Sequence, residues 1–179
     1  MVFLFEGLDK AGKSTLIRNF QDLSHINVFK NPIKPTKTEY SKGFINGLYT
    51  GAYLAAKLSN EDLIFDRSHI TELAYAEVKR KYKPEVDYWK EWEEKNSHWV
   101  IVVYIDAPLD LIKARFETDK EEYVKPSQIK SIAKKYEKYF QDPKLRMVYI
   151  DGSVTQQRML DQLVSQLKNL YLWSPSRPR

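Results

Sequence analysis

Eight residues near the start of the chain have the types and spacing of a loop that binds phosphate. They read Gly7-Leu8-Asp9-Lys10-Ala11-Gly12-Lys13-Ser14 and match the pattern G-x-x-x-x-G-K-[ST] in full. An apolar run precedes them and a helical pattern follows, as the motif requires. In such a loop, backbone N–H groups and the helix N-terminus bind phosphate oxygens, Lys13 reaches the β- and γ-phosphates, and the Ser14 hydroxyl binds Mg²⁺. The motif therefore predicts that the chain binds a nucleotide through its phosphates.

A second pair of residues that could contact phosphate, Asp66 and Arg67, follows the apolar run Leu63-Ile64-Phe65. Ligands of open α/β sheets bind beyond the carboxyl ends of the strands, and the phosphate loop also follows a strand. We expect Asp66 to hold Mg²⁺ through a water molecule and Arg67 to bind a phosphate group with two hydrogen bonds. The alternative interpretation of the pair is a salt bridge at a strand end.

Composition and absent motifs exclude several classes of protein. The 179-residue chain contains no cysteine, which excludes disulfide bonds, thiolate metal sites and thiol catalysis. The string N-K-x-D, with which GTPases read guanine, does not occur, and the chain is short for a motor ATPase. Its 29 basic and 24 acidic residues give a net charge of +5, which suits an anionic ligand but is too mild to indicate nucleic-acid binding. No apolar run approaches the ~20 residues of a membrane span, and the first ten residues lack a secretory pattern, so we expect a cytoplasmic protein.

The hydrophobic pattern places both motifs on an α/β fold. Short apolar runs alternate with longer helical stretches, which is typical of a parallel sheet flanked by helices. The predicted strands are Val2–Glu6, Asn27–Lys30, Leu63–Phe65, Trp99–Asp106 and Met147–Ile150. The predicted helices are Lys13–Leu23, Glu39–Leu58, Thr71–Lys81, Val86–Lys95, Pro108–Phe116, Pro126–Phe140 and Thr155–Leu170. We expect one domain over residues 1–173, followed by a flexible tail over 174–179.

Three segments of the chain resemble the thymidylate kinases, a branch of the phosphate-loop kinases. Residues 6–15 are similar to that family's opening, E-G-x-D-x-x-G-K-S-T. The ten residues from Asp66 to Tyr75 are similar to its D-R-Y-x-x-S-x-x-A-Y/F segment, and Ile105-Asp106-Ala107-Pro108 is similar to the end of its fourth strand. The segment 116–125 has the position of the family's lid. The resemblance runs through about Phe140 and implies a five-stranded phosphate-loop kinase fold with a short lid.

Together with the motif, the resemblance assigns roles to individual residues. It implies ATP as the phosphate donor and Mg²⁺ as the metal, held by Ser14 and Asp66. The donor would be contacted by Gly7, Asp9, Lys10, Ala11, Gly12, Lys13, Ser14 and Thr15. The acceptor would be contacted by Asp9, at the sugar 3′-hydroxyl, and by Lys30, Phe44, Arg67 and Tyr75. The transferred phosphoryl group would be contacted by Lys13, Arg67, Lys10 and Arg115, with Lys120 as a further candidate.

The chain departs from the thymidylate kinase pattern at three points. Lys30-Asn31-Pro32 stands where the family has an Arg-x-Pro element. Ser68 replaces the tyrosine after Asp-Arg, and the resulting D-R-S resembles the E-R-S of deoxynucleoside kinases. The helix that would read the base offers Phe44, Tyr49 and Tyr53 but no arginine. The accepted base therefore stays open.

The end of the second strand distinguishes two kinds of acceptor. A hydroxyl acceptor is helped by a carboxylate base, whereas a phosphate acceptor is already ionised and needs cations. Lys30, Lys34 and Lys37 come first along this stretch, and the first acid is Glu39. We therefore predict transfer to a deoxynucleoside monophosphate, with dTMP as the leading acceptor. A deoxynucleoside kinase is the second hypothesis, and a polynucleotide kinase or nucleic-acid-binding ATPase is the third.

The expected partners are small-molecule nucleotides, without a membrane or nucleic acid. Tyr88, Trp89 and Trp92 have near-helical spacing and are interpreted as core or subunit-contact residues, which leaves a homodimer open. Among the three dispersed histidines, only His69 is a candidate for the acceptor pocket, because it lies beside the Asp-Arg pair.

Overall fold

The computed structural model describes residues 1–30, 42–118 and 124–170. The predicted tail, the candidate Lys120, the first acid Glu39 and residues 119–123 of the expected lid lie outside these ranges.

The described strands form one five-stranded sheet in which every neighbouring pair is parallel. They are β1 (Val2–Gly7), β2 (Asn27–Lys30), β3 (Leu63–Asp66), β4 (Val100–Asp106) and β5 (Arg146–Asp151). Their order across the sheet is β2-β3-β1-β4-β5, so β1 is the central strand. The predicted α/β class with a parallel sheet is confirmed.

Seven α-helices flank the sheet in the part of the chain that the structure describes. They are α1 (Lys13–Ser24), α2 (Lys42–Ser59), α3 (His69–Tyr75), α4 (Val86–Asn96), α5 (Leu109–Thr118), α6 (Pro126–Phe140) and α7 (Gln156–Asn169). None of the helices in these residues is both long enough and apolar enough to cross a bilayer.

The central position of β1 brings the two sequence motifs to one edge of the sheet. All six residues of β1 are buried, as expected for a strand covered on both faces. Phe5 lies opposite Asp66 on β3, and Gly7 lies opposite Ile105 on β4. Because parallel strands end at the same edge, the loop after β1 lies beside the end of β3.

Helix α3 differs from its predicted bounds of Thr71–Lys81 at both ends. It begins at His69 because the Ser68 hydroxyl accepts a hydrogen bond from the N–H of Ile70 at 3.2 Å, a helix cap. A π-helical turn, Ala76–Arg80, then continues it. Such turns are rare in helices and are frequent near functional sites.

An aromatic cluster packs between β3 and helices α2 and α4, and it changes the interpretation of three residues. Tyr49 and Tyr53 are buried in this cluster, so they belong to the core, and Phe44 is the exposed one of the three aromatic residues that α2 offers. His69 is fully buried and stacks on Trp89 with ring centroids 4.3 Å apart. Its ring nitrogens lie 2.8 Å from the Tyr53 hydroxyl and 2.8 Å from Glu93 Oε1. His69 therefore has the burial and contacts of a core histidine, which favours a structural role over the candidate position in the acceptor pocket.

Candidate active site

The phosphate loop has a backbone shape that requires both glycines of its motif. Gly7 has φ of 145°, and a Cβ there would lie 2.7 Å from the carbonyl oxygen of Ile105. Gly12 has φ of 95°, and a Cβ there would lie 2.7 Å from Nε2 of Gln156. Lys10 also has a positive φ, 66°, although it is not a glycine. The loop is therefore tightly curved, as it must be for its N–H groups to surround phosphate oxygens.

Lys13 begins α1 and is buried in the floor of the site. Its Nζ lies 3.8 Å from Oδ1 of Asp66, whose Oδ2 lies 3.5 Å from Nζ of the exposed Lys30. Burial, followed by the nearby Arg67 guanidinium, lowers the pKa of Lys13 from 10.5 to about 8. The carboxylates of Asp66, Asp9 and Glu6 act in the opposite direction but do not offset the burial. A bound anion would remove this conflict by adding negative charge beside the ammonium group.

Arg67, Asp9 and Tyr75 form a second charged group beside the loop. The Nη2 of Arg67 donates to Asp9 Oδ1 in an ion pair, and the guanidinium lies 5.2 Å from the centroid of the Tyr75 ring. The Tyr75 hydroxyl donates to the other Asp9 oxygen at 3.4 Å, and burial raises the pKa of this phenol. The Nη1 of Arg67 is buried and has no hydrogen-bond partner among the residues that the structure describes. One terminal nitrogen of Arg67 is therefore engaged with Asp9, and the other has no partner in the part of the chain that the structure describes.

Arg115 connects the phosphate loop to the far side of the sheet. Its Nη1 donates to the carbonyl oxygen of Lys10 at 2.8 Å, and its Nη2 donates to that of Gly152 at 3.3 Å. The Nζ of Lys10 lies 5.9 Å from the ring centroid of Phe116. Arg115 thus braces the loop in this state of the protein, and its predicted contact with the transferred phosphoryl group stays a prediction.

A cleft of about 720 Å³ opens at this edge of the sheet, a size suited to a small-molecule ligand. Ten of the predicted site residues line it: Asp9, Lys10, Gly12, Lys13, Ser14, Thr15, Lys30, Asp66, Arg67 and Arg115. The other four predicted residues are not among its lining. Gly7 and Ala11 are buried parts of the loop backbone, Tyr75 is buried in contact with Arg67, and Phe44 lies on α2 with 43% of its surface exposed.

Several residues at the site were not predicted from the sequence, and two of them, Gln156 and Glu6, carry buried polar atoms. Gln156, at the start of α7, lines the cleft, and its buried Oε1 has no hydrogen-bond partner within the described ranges. Glu6 is fully buried directly before the loop and accepts hydrogen bonds from Ser68, Thr71 and Tyr136. The one sequence signal for Glu6 is an acid inside an otherwise apolar strand, and no local pattern indicates Gln156.

Three solved structures illustrate the similarity of this chain to known proteins. The YorR protein of Bacillus subtilis, solved in complex with phosphorylated GDP, has a TM-score of 0.76 at 20% identity over 97% of this chain and 99% of its own. The thymidylate kinase of Candida albicans has a TM-score of 0.64 at 18% identity over 96% of this chain and 92% of its own. The deoxyadenosine kinase of M. mycoides, with bound dCTP, has a TM-score of 0.63 at 17% identity over 94% of this chain and 100% of its own. The fold is that of the phosphate-loop nucleoside and nucleotide kinases.

The two named kinases match this fold about equally well, so the fold is compatible with both acceptor classes that the sequence left open. No protein-family model matches the chain, and no curated protein matches it at a significant level.

The oxygen atoms at the phosphate-loop end of the cleft fit a Mg²⁺ ion that is bound together with a nucleotide. Ser14 is exposed to the cleft, and the Asp66 carboxylate lies at its floor between two lysines. No group of three or more acidic, histidine or cysteine side chains in the described residues could hold a metal without further ligands. This donor set suits Mg²⁺, which keeps several waters and is usually bound by one or two carboxylates plus substrate phosphates.

Proposed function

We propose that the chain transfers the γ-phosphoryl group of ATP to a deoxynucleoside monophosphate, with dTMP as the leading acceptor. The observation that carries this proposal is Arg67, which lines the same cleft as the phosphate loop and whose buried Nη1 has no hydrogen-bond partner in the described residues. A buried donor without a partner costs stability, which a ligand can restore. A phosphate oxygen suits a guanidinium N–H, because the anionic oxygen accepts a charge-assisted hydrogen bond from the cation.

On the donor side, the loop backbone and Lys13 bind the ATP phosphates. The N–H groups that follow Gly7 and the N-terminus of α1 act together with the Lys13 ammonium group on the β- and γ-phosphates. Ser14, directly, and Asp66, through water, would hold Mg²⁺, which neutralises part of the charge that the phosphates carry.

On the acceptor side, Arg67 and Lys30 bind the monophosphate and Asp9 binds the sugar. Arg67 offers its Nη1, and the Lys30 ammonium group adds a single mobile charge at the end of β2. Asp9 would accept a hydrogen bond from the sugar 3′-hydroxyl. The Tyr75 hydroxyl stays protonated, because burial raises its pKa, and its hydrogen bond orients the Asp9 carboxylate.

The transfer itself is an in-line displacement. An oxygen of the acceptor monophosphate attacks the γ-phosphorus, and the bond between that phosphorus and the β–γ bridging oxygen breaks. The products are a deoxynucleoside diphosphate and ADP. No side chain has to remove a proton, because the acceptor phosphate is already ionised, so the residues act through position and charge.

A deoxynucleoside kinase is the second candidate. It is favoured by Ser68, which gives the D-R-S sequence, and by the similarity to the deoxyadenosine kinase of M. mycoides. Its hydroxyl acceptor would need a base, and the described part of β2 ends in Lys30 and not in a carboxylate. This difference is why the monophosphate is ranked first.

An acceptor panel with γ-labelled ATP tests the proposal. The four deoxynucleoside monophosphates, the four deoxynucleosides and a 5′-hydroxyl oligonucleotide are each incubated with the protein, and the labelled products are separated. We expect label in a deoxynucleoside diphosphate, and no transfer by a folded Lys13→Ala variant, because that change removes the charge at the moving phosphoryl group. Label in a deoxynucleoside monophosphate or in the oligonucleotide would instead establish the second or third hypothesis.

A further inference from the structure

Glu6 is a buried carboxylate whose contacts the phosphate-loop motif does not explain. Its Oε1 accepts hydrogen bonds from the backbone N–H of Ser68 at 2.7 Å and from the Ser68 hydroxyl at 2.6 Å. Its Oε2 accepts from the hydroxyls of Thr71 at 2.6 Å and Tyr136 at 2.9 Å. All four donors are uncharged, and among the residues that the structure describes Glu6 is not half of an ion pair. The role of Glu6 therefore depends on which parts of the chain these donors belong to.

The first oxygen of Glu6 holds the turn that carries Arg67. Arg67 has φ of 73°, in the left-handed region that residues other than glycine rarely adopt. Such a conformation persists only where the surroundings hold it, and it is found most often at functional sites. The N–H of Arg67 donates to the carbonyl oxygen of Phe5 at 3.2 Å, and the next N–H, of Ser68, donates to Glu6. Two consecutive residues of β1 therefore fix the backbone on both sides of the Arg67 Cα.

We propose that Glu6 is a positioning residue that keeps Arg67 in its left-handed conformation and thereby directs the guanidinium into the cleft. The consequence for acceptor binding rests on the proposed function, in which Arg67 contacts the acceptor phosphate. The conformational part does not depend on any reaction. Glu6 itself does not line the cleft and acts through the backbone of Ser68.

Two substitutions distinguish a positioning role of Glu6 from a merely structural one. They can do so because Oε1 contacts Ser68, beside Arg67, whereas Oε2 contacts Thr71 and Tyr136. Glu6→Gln keeps the size of the side chain but replaces a charged acceptor with a weaker, neutral one at Ser68. Tyr136→Phe removes one bond to Oε2, leaves the contacts of Oε1 intact and lies outside the cleft lining. It is the matched control for loss of a hydrogen bond to the same carboxylate.

Steady-state kinetics of both variants give the first readout. We expect Glu6→Gln to raise the KM for the acceptor about fivefold, the difference between a charged and a neutral hydrogen bond, and to leave the KM for ATP unchanged. We expect Tyr136→Phe to leave both KM values unchanged, even if its Tm falls as far as that of Glu6→Gln. An equal increase of the acceptor KM in the two variants would mean that Glu6 is only structural.

A double variant tests whether Glu6 acts through Arg67. In an Arg67→Ala background, Glu6→Gln should no longer raise the acceptor KM, because the group that it positions is absent. If the increase persists in that background, Glu6 acts by another route and the inference is overturned.

The Arg67 side chain gives a readout that needs no reaction. Its Nε resonance in a ¹⁵N spectrum, assigned by its loss in Arg67→Lys, should shift in Glu6→Gln and stay in place in Tyr136→Phe. If the acceptor panel shows no transfer at all, the proposed function fails while this measurement still decides the positioning role. An unshifted Arg67 resonance in a folded Glu6→Gln protein would overturn that role.

Discussion

Burial favours the neutral form of Lys13, whereas its proposed role in binding phosphate needs the charged form. The side chain is buried and its pKa is lowered to about 8, so the free protein releases this proton above that pH. A bound polyphosphate favours the charged form and restores the proton. The bound protein then carries more protons than the free protein, and the affinity for the ligand must fall as the pH rises through 8.

Calorimetry of a non-hydrolysable ATP analogue with Mg²⁺ measures this linkage. We expect little proton uptake from this group at pH 7 and uptake approaching one proton per ligand at pH 9, when titrations are compared in buffers of different ionisation enthalpy. Lys13→Arg is the control, because arginine does not titrate in this range. Uptake that is unchanged in Lys13→Arg would assign the proton to another group.

Arg67 and Lys30 differ in what their substitution should cost. Arg67→Ala removes a charge-assisted contact of roughly 2–3 kcal/mol, so the acceptor KM should rise about 30- to 150-fold, with a lower kcat if the contact also aligns the attacking oxygen. Lys30→Ala should act in the same direction by less, because its side chain is largely exposed and offers one point of contact. The measurement is steady-state kinetics with a deoxynucleoside monophosphate. An unchanged acceptor KM together with lost ATP binding would assign Arg67 to the donor side.

At the scale of the elements, the chain offers a matched pair of glycines. Gly12→Ala forces a side chain into a backbone with φ of 95° and against Gln156, which should cost about 1–3 kcal/mol and weaken ATP binding. Gly47 lies within α2 and has open space at its Cβ position, so Gly47→Ala should stabilise the protein by up to about 1 kcal/mol and leave binding unchanged. Thermal unfolding and ATP titration of the two variants check this. Equal effects of the two substitutions would show that the loop tolerates a side chain at Gly12.

Features that depend on a local sequence pattern could be predicted from the sequence, whereas features that depend on contacts between elements could not. The phosphate loop is a contiguous motif between a strand and a helix, and Asp66 ends an apolar run, so both were found from local pattern. The cap at Ser68 and the π-helical turn after Tyr75 were missed because their hydrogen bonds depend on packing against other elements. The partner of Arg67, Asp9, lies 58 residues away along the chain, and no spacing rule connects the two.

At the scale of the whole molecule, the site should couple ligand binding to global stability. The loop connects the central strand to α1, and Arg115 joins it to the carbonyl of Gly152 between β5 and α7, so unfolding must release a bound ligand. An ATP analogue with Mg²⁺ at 100 times its Kd should add about 2.7 kcal/mol, which raises Tm by about 5–10 °C in a chain of this length. Adenosine without phosphates should give no shift, and Lys13→Ala should lose the shift at the same ligand concentration. A full shift in Lys13→Ala would place the ligand outside the loop.

The contacts of Glu6 determine when the site can form while the chain is being synthesised. Glu6 leaves the ribosome before its donors, which follow 62, 65 and 130 positions later. A nascent chain that ends before α6 therefore has β1 and the phosphate-loop residues but lacks one of the donors that this buried carboxylate needs. Contacts of such large sequence separation form slowly, since the intervening chain must be closed first. The proposed nucleotide site should consequently mature only after α6 has emerged, and truncated nascent chains carrying the complete loop motif should not yet retain ATP.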